Sequence, residues 1–238
     1  MTPRPLALAG VAALALALAG CGSNGSSDQP TLSTSTPPAS SPAASTPAAA
    51  GGPCAPMTAP SHSPQHFDKE PAITIDRTAY TLTMVTNCGT IVAKLDGAKA
   101  PHTVNSFAFL AGKHYFDNTP CHRLTTAGIY VLQCGDPTGT GTGGPGYTIP
   151  DENLKGATYP AGTVAMANTG QPHTGGSQFF FVYANTSLPP QYTPFGTVTG
   201  GLDILTAIAK AGSDDSNGAG DGAPKQPVVI ESFTVTKG

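Results

Sequence analysis

Arg123 is one of three arginines in the chain, and the other two, Arg4 and Arg77, lie far from it in sequence. Gln133 follows ten residues later, with Tyr130 and Val131 between them. Ala167 and Asn168 end a second short apolar run. Gln178 and Phe180 alternate on a third, so an extended strand turns both to one face. Apolar and aromatic groups, a few amides and a single cation suit a shallow groove that grips a peptide. The set has no carboxylate pair, no nucleophile beside a base and no metal-ligand spacing. Chemistry built from such groups breaks no covalent bond; it binds, orients and stabilises charge. The competing reading is structural, with Arg123 in a surface ion pair and Tyr130 and Phe180 in an ordinary core.

Short strands must hold these residues. YTLTMVT (80–86) and TIVAKL (90–95) read as two strands joined by a turn at Asn87-Cys88-Gly89. CHRL (121–124) and IYVLQ (129–133) flank Thr-Thr-Ala-Gly, and GTVAMA (162–167), QFFFV (178–182), FGTV (195–198) and VVIESFTVT (228–236) follow. Pro101 stands at a first helical position, with Val104, Phe107, Ala108 and Ala111 at helical spacing and Gly112 closing the segment. Leu202, Leu205 and Ile208 mark a second helix, with Asp203 in its first turn, Lys210 in its last and Gly212 beyond. Eight strands joined mostly by turns, with two helices left over, predict a mainly β fold: a closed eight-stranded antiparallel barrel capped by two α-helices.

Charged residues make up 11% of the 238 residues, against about a quarter in ordinary domains. The formal charge is −3 and no Lys/Arg run exists, so the footprint of nucleic-acid binding is missing. Residues 6–20 form an apolar run of fifteen behind Arg4, shorter than the ~20 residues a membrane-spanning helix needs. Residues 1–20 therefore read as a signal peptide. The run ends Leu18-Ala19-Gly20-Cys21, which resembles the bacterial lipobox, so Cys21 is the expected lipidation site. Residues 22–60 are mostly Ser, Thr, Pro, Ala and Gly. They read as a disordered linker (21–60 with Cys21), followed by a transitional segment (61–77) and the folded domain (78–238). The expected location is the extracytoplasmic face of a bacterial membrane. Cys54, Cys88, Cys121 and Cys134 are disulfide candidates in such a compartment, and their spacings of 34, 33 and 13 leave the pairing open.

Some motifs mislead. GTGTGG (139–144) matches a dinucleotide fingerprint, but Pro145-Gly146-Tyr147 follows it and no helix does. GGSQF (175–179) lacks the shape of a nucleophile elbow. Asp214, Asp215 and Asp221 lie in a Gly/Ser/Asn-rich loop whose spacing is not that of an EF-hand, and a solvated loop is the expectation there. No metal and no cofactor are expected.

HR (122–123), LQCGD (132–136), GTGGPGY (141–147), DEN (151–153), AMAN (165–168), GGSQFF (175–180) and FG (195–196) together resemble the cyclophilins in order and approximate spacing. The resemblance covers about residues 78–238. It implies peptidyl-prolyl cis-trans isomerase activity and an eight-stranded barrel with two helices. It puts the catalytic arginine on Arg123, its neighbouring glutamine on Gln133, and the proline-pocket aromatics on Tyr130 and Phe180. Val131, Leu188 and Tyr192 fall on the rest of the pocket, and Ala167, Asn168 and Gln178 on contacts to the peptide. Three departures stand out: two extra residues between Arg123 and Gln133, one extra between Asn168 and Gly176, and no tryptophan. The last implies weak cyclosporin binding. The lipobox and Cys88, Cys121 and Cys134 look like an exported bacterial branch of the family. The implied partners are proline-containing segments of exported proteins, and the membrane through the anchor. The alternative is a non-catalytic, chaperone-like surface lipoprotein that binds proline peptides.

Overall fold

The computed structural model describes residues 54–56 and 63–238. The expected signal peptide, the expected lipidation site Cys21 and most of the linker lie outside the described residues. Alternation dominates the first two strands, β1 (Ala79–Thr86) and β2 (Gly89–Asp96). Tyr80, Leu82 and Met84 point inward from β1, and Ile91, Ala93 and Leu95 from β2, while the threonines between them face out. Helix α1 (Pro101–Gly112) follows, then β3 (Thr119–Pro120), β4 (Arg123–Thr125) and β5 (Val131–Cys134). The rest comprises β6 (Thr163–Met166), β7 (Phe179–Val182), β8 (Pro194–Gly200), helix α2 (Leu202–Ala211), β9 (Asp221–Gly222) and β10 (Val229–Lys237).

The strands form one antiparallel sheet in the order β3-β10-β1-β2-β8-β6-β7-β5-β4-β9. Ten strands stand where eight are expected, for two local reasons. The strand expected at 121–124 is replaced by two pieces, β3 and β4, interrupted at Cys121-His122. β9 is a short return of the Asp-rich loop against β4. β3 pairs with β10 and β4 with β5, so the segment 119–125 links the two ends of the curled sheet through the chain itself. The Cys121 N–H donating to Val228 O at 2.9 Å extends that link.

Both helices cover the sheet with apolar stripes. Val104, Phe107, Leu110 and Ala111 are buried on α1, and Leu205 and Ile208 on α2. Phe107 centres an aromatic cluster, with ring centroids 5.4 Å from Phe116, 5.4 Å from Phe179 and 4.8 Å from Phe195. α1 has no cap of its own. The Glu152 carboxylate serves instead, accepting from His102 N, Thr103 N and Thr103 Oγ1 at 3.0, 2.9 and 2.8 Å.

The segment before β1 (residues 63–78) is a strap that lies against α1. Asn105 accepts from Thr74 N at 2.9 Å and donates to Ala72 O at 3.1 Å, and the Phe67 ring meets Phe109 at 5.0 Å. The disulfides are Cys54–Cys88 and Cys121–Cys134. The first ties residues upstream of the strap to the β1–β2 turn. The second joins the segment before β4 to the end of β5.

Candidate active site

Strand register assembles the site. Arg123 on β4 stands opposite Gln133 on β5, Gln133 opposite Phe180 on β7, and Phe180 opposite Ala165 on β6. This row crosses four strands on one face. The flanking residues Leu124, Leu132, Phe179, Phe181 and Val164 turn the other way, into the main core. On the outer face Val131, Ala165, Phe180 and Val182 form a second apolar cluster, over which Leu188, Tyr192, Ile129 and Ala167 pack partly buried. The Phe180 and Tyr192 rings meet edge to face at 5.6 Å. Tyr159 braces Tyr192 from below: its hydroxyl donates to Tyr192 O at 2.8 Å and accepts from Tyr192 N at 3.0 Å.

Polar groups border this cluster. Arg123 is half-buried, and its Nε and Nη2 donate to the two carboxylate oxygens of Asp221 at 2.8 and 2.6 Å. Its Nη1 lies 3.4 Å from Gln133 Oε1. Gln133 Nε2 donates to Gln178 Oε1 at 2.8 Å, and Gln178 Nε2 to the carbonyls of Gly141 and Gly143 at 3.0 and 2.9 Å. The hydrogen bond from Arg123 holds the Asp221 carboxyl below the usual range, and the same bond raises the guanidinium further. Arg123 is therefore charged throughout the working pH range. His122 beside it is partly buried, and the desolvation lowers its pKa and keeps the imidazole neutral near pH 7.

The GTGTGG segment is a loop wound around the Asp136 carboxylate. Asp136 accepts from Thr138 N at 2.7 Å, Gly141 N at 2.7 Å and Gly143 N at 3.0 Å. Burial pushes its pKa up, but the hydrogen bond from Thr138 Oγ1 at 2.7 Å and these backbone donors together outweigh burial and hold the carboxyl below its usual value. A Cβ at Gly143 would strike the Asp136 oxygen, so the loop requires glycine there. Next to the row, a cavity of about 810 Å³ is lined by Gln133, Gly141, Ala167, Asn168, Gln178 and, from the strap, His66.

Of the residues singled out in the sequence, Arg123, Val131, Gln133, Ala167, Gln178, Phe180, Leu188 and Tyr192 come together here. Asn168 borders the cavity with its side-chain amide already bonded, Nδ2 to Gln191 O at 2.8 Å and Oδ1 from Gly170 N at 3.0 Å. Tyr130 does not join the apolar cluster. It is one residue out of phase with Val131 and Gln133, and its ring meets Tyr183 at 6.0 Å instead. Ile129 packs against the cluster. Sequence reasoning missed Ile129, Tyr159 and Asp221. Only Asp221 had a signal, an acid in a loop with no other evident task. Asp214 and Asp215 cap that loop's own backbone, and no cluster among the described residues could hold a metal ion.

A model of the cyclophilin type peptidyl-prolyl cis-trans isomerase/CLD family matches residues 81–235. The chain is 46% identical over 195 residues to a probable peptidyl-prolyl cis-trans isomerase B of Mycobacterium leprae, across 76% of this chain and 64% of that one. A protein of the same description in Mycobacterium tuberculosis is 47% identical over 171 residues, across 66% of this chain and 54% of that one. The chain thus spans less than two thirds of the length of these relatives. A peptidyl-prolyl cis-trans isomerase A of Mycobacterium tuberculosis is 37% identical over 175 residues, 92% of its length. Among solved structures, a cyclophilin type isomerase of Cryptosporidium parvum superposes with a TM-score of 0.58 at 29% identity, over 67% of this chain and 99% of that one. A second structure of it, in the presence of the dipeptide Ala-Pro, gives 0.57 at 30% identity, over 66% of this chain and 99% of that one.

Proposed function

Because the chain belongs to the cyclophilin-type peptidyl-prolyl cis-trans isomerase family, we propose that it interconverts the cis and trans forms of X–Pro bonds in exported proteins, with Arg123 as the catalytic residue. Amide resonance sets a barrier of ~18–20 kcal/mol to this rotation, and the uncatalysed exchange takes tens of seconds or more. At the top of the barrier the C–N bond is twisted, and the prolyl nitrogen regains a lone pair that the planar amide lacks. A guanidinium N–H aimed at that nitrogen binds the twisted form better than either isomer, which lowers the barrier. The apolar cluster of Val131, Phe180, Leu188 and Tyr192 suits a pyrrolidine ring and would hold it while the acyl side turns. Gln178 and the backbone of Ala167 and Asn168 border the space where the preceding residues would lie.

The observation that carries this reading is the row Arg123–Gln133–Phe180–Ala165, which sets a charged donor beside an apolar floor on one sheet face. Exchange of an Ala-Pro peptide, followed by NMR without a coupling protease, tests it. Arg123→Ala should lower kcat/KM roughly 10²- to 10³-fold while peptide affinity is largely kept. Equal rates for wild type and variant, with both still binding peptide, would instead make the groove a proline-recognition module.

The protein acts, in this reading, outside the cytoplasm from a lipid anchor on Cys21. The apolar run before Cys21 and the two disulfides support that location. Mass spectrometry of the mature amino terminus should find acylated Cys21; an unmodified terminus elsewhere refutes the anchor. Cyclosporin should bind weakly, given the absence of tryptophan, and tight inhibition in a titration would refute that part.

A further inference from the structure

Asp221 touches the arginine more firmly than any other residue does. Its two oxygens take Nε and one N–H of Nη2 at 2.8 and 2.6 Å, the side-on, two-bond geometry that fixes both the position and the plane of a guanidinium. Gln133, the neighbour expected to orient Arg123, is 3.4 Å from Nη1 and gives its own N–H to Gln178. A guanidinium has five N–H groups in one plane. Asp221 engages two and Gln133 faces one, so one hydrogen on Nη1 and one on Nη2 remain.

The carboxylate is itself held in place. Asp221 pairs with Thr125 in the β4–β9 ladder. Its N–H donates to Gly218 O at 2.9 Å, and its carbonyl accepts from Asn217 N at 3.0 Å. Asp214 accepts from Ser216 N and Ala223 N at 3.0 and 2.8 Å, and Asp215 from Gly220 N at 3.0 Å, so the neighbouring acids brace the loop. A Cβ at Gly222 would collide with the Asp214 carboxylate, so the residue after Asp221 has to be glycine. The loop also rests on the two-residue extension of the β4–β5 hairpin: Thr126 N donates to Gly220 O at 2.7 Å, and the space beside Gly220 is filled by Ala127. The lengthened hairpin and the acid-bearing loop form one support.

We propose that Asp221 is the positioning residue of the site: it presets the Arg123 guanidinium so that its two remaining N–H groups face the prolyl nitrogen and the neighbouring carbonyl of a bound peptide. The inference rests on the isomerase reading above. A free arginine must order several rotatable bonds when the transition state forms, which costs side-chain entropy. Asp221 meets that cost during folding. A carboxylate on one edge of the guanidinium leaves its two remaining N–H groups as charge-assisted donors. A preset donor acts on the twisted amide and adds little to ground-state affinity, so its loss falls on kcat.

The test uses the full chain as wild type, Asp221→Asn, Asp221→Ala, Arg123→Ala and the Arg123→Ala/Asp221→Asn double variant, with kcat and KM from peptide exchange. Asp221→Asn keeps one acceptor and the side-chain shape and should lower kcat about tenfold; Asp221→Ala should lower it nearer a hundredfold, with KM within about twofold for both. In the Arg123→Ala background Asp221→Asn should change nothing further, because the two residues act as a unit. If Asp221→Asn keeps wild-type kcat while Arg123→Ala collapses, the inference fails and the isomerase reading stands. A raised KM at unchanged kcat, or an additive loss in the double variant, would also overturn it, making Asp221 a peptide contact or a loop brace. A wild type that does not speed exchange removes the isomerase reading and this inference together. Should Asp221→Ala fail to fold, the near-isosteric Asn variant decides.

Discussion

One half of the sheet is built from long strands and the other from short ones. β1, β2 and β10 run for 8, 8 and 9 residues in nearly unbroken register. β4, β5, β6 and β7 run for 3, 4, 4 and 4. In the long half only the inner face is buried, and threonines, Lys94 and Glu231 meet water on the outer face. In the short half both faces are apolar, and every residue of β6 and β7 is buried. A two-faced strand needs a cover on its second side, and here loops bring Tyr159, Leu188 and Tyr192 over it. The long half thus supplies regular hydrogen bonding and a sealed core. The short half carries a second apolar cluster, covered by loops and not by a sheet or helix.

Adjacent phenylalanines on β7 separate the two roles. Phe179 faces the main core at 0% exposure and packs against Phe107, Phe116 and Phe233. Phe179→Ala should cost about 3–5 kcal/mol of stability, because the closed core cannot refill the cavity. The fraction that remains folded should keep its kcat/KM. Equilibrium unfolding beside the exchange assay checks both, and a stable but inactive Phe179→Ala would mean that the inner core also shapes the groove.

Phe180 faces the outer cluster. Phe180→Ala should cost about 2 kcal/mol, nearer the transfer value alone, since the loop residues Leu188 and Tyr192 that cover it can settle into the space it leaves. It should also lower kcat/KM at least about tenfold through loss of the ring's floor. If the two variants lose stability equally and Phe180→Ala keeps its activity, the outer cluster is only a second core.

The contrast within QFFFV was legible from alternation, because a period of two sorts neighbours onto opposite faces regardless of the rest of the fold. Pro101 and the spacing of Val104, Phe107 and Ala111 likewise marked α1. The ion pair to Asp221 was not legible, since its members are 98 residues apart and only the curled sheet brings them together. The Cys54–Cys88 and Cys121–Cys134 pairing depends on the same tertiary closure. Tyr130 stands outside the outer cluster, with its ring turned toward Tyr183. The two-residue extension of the hairpin ends just before it, so its side chain is set by the turn and by strand phase together, which residue types alone do not specify. GTGTGG was legible as a loop from Pro145, but that the Asp136 carboxylate three residues upstream organises it was not, since LQCGD shows the acid and not where its oxygens point.

The smallest effect belongs to the outer face of the long half. Lys94 is exposed on β2, opposite Thr81 on β1 and Thr197 on β8. Its neighbours there are short hydroxyl side chains, and water covers the rest. Lys94→Ala removes a solvated ammonium and a stem that seals no core, so stability should move by no more than about 0.5 kcal/mol. Its kcat/KM should match wild type, because no strand row connects Lys94 to Arg123. A thermal melt and the same exchange assay measure both. A loss of kcat/KM comparable with that of Phe180→Ala would break the division between the halves. It would make the cavity of about 510 Å³ that Lys94 lines with Lys99, Asn153 and Pro194 a second surface for the peptide. An unchanged variant leaves the short half as the working half, and the long strands as the frame that holds its register.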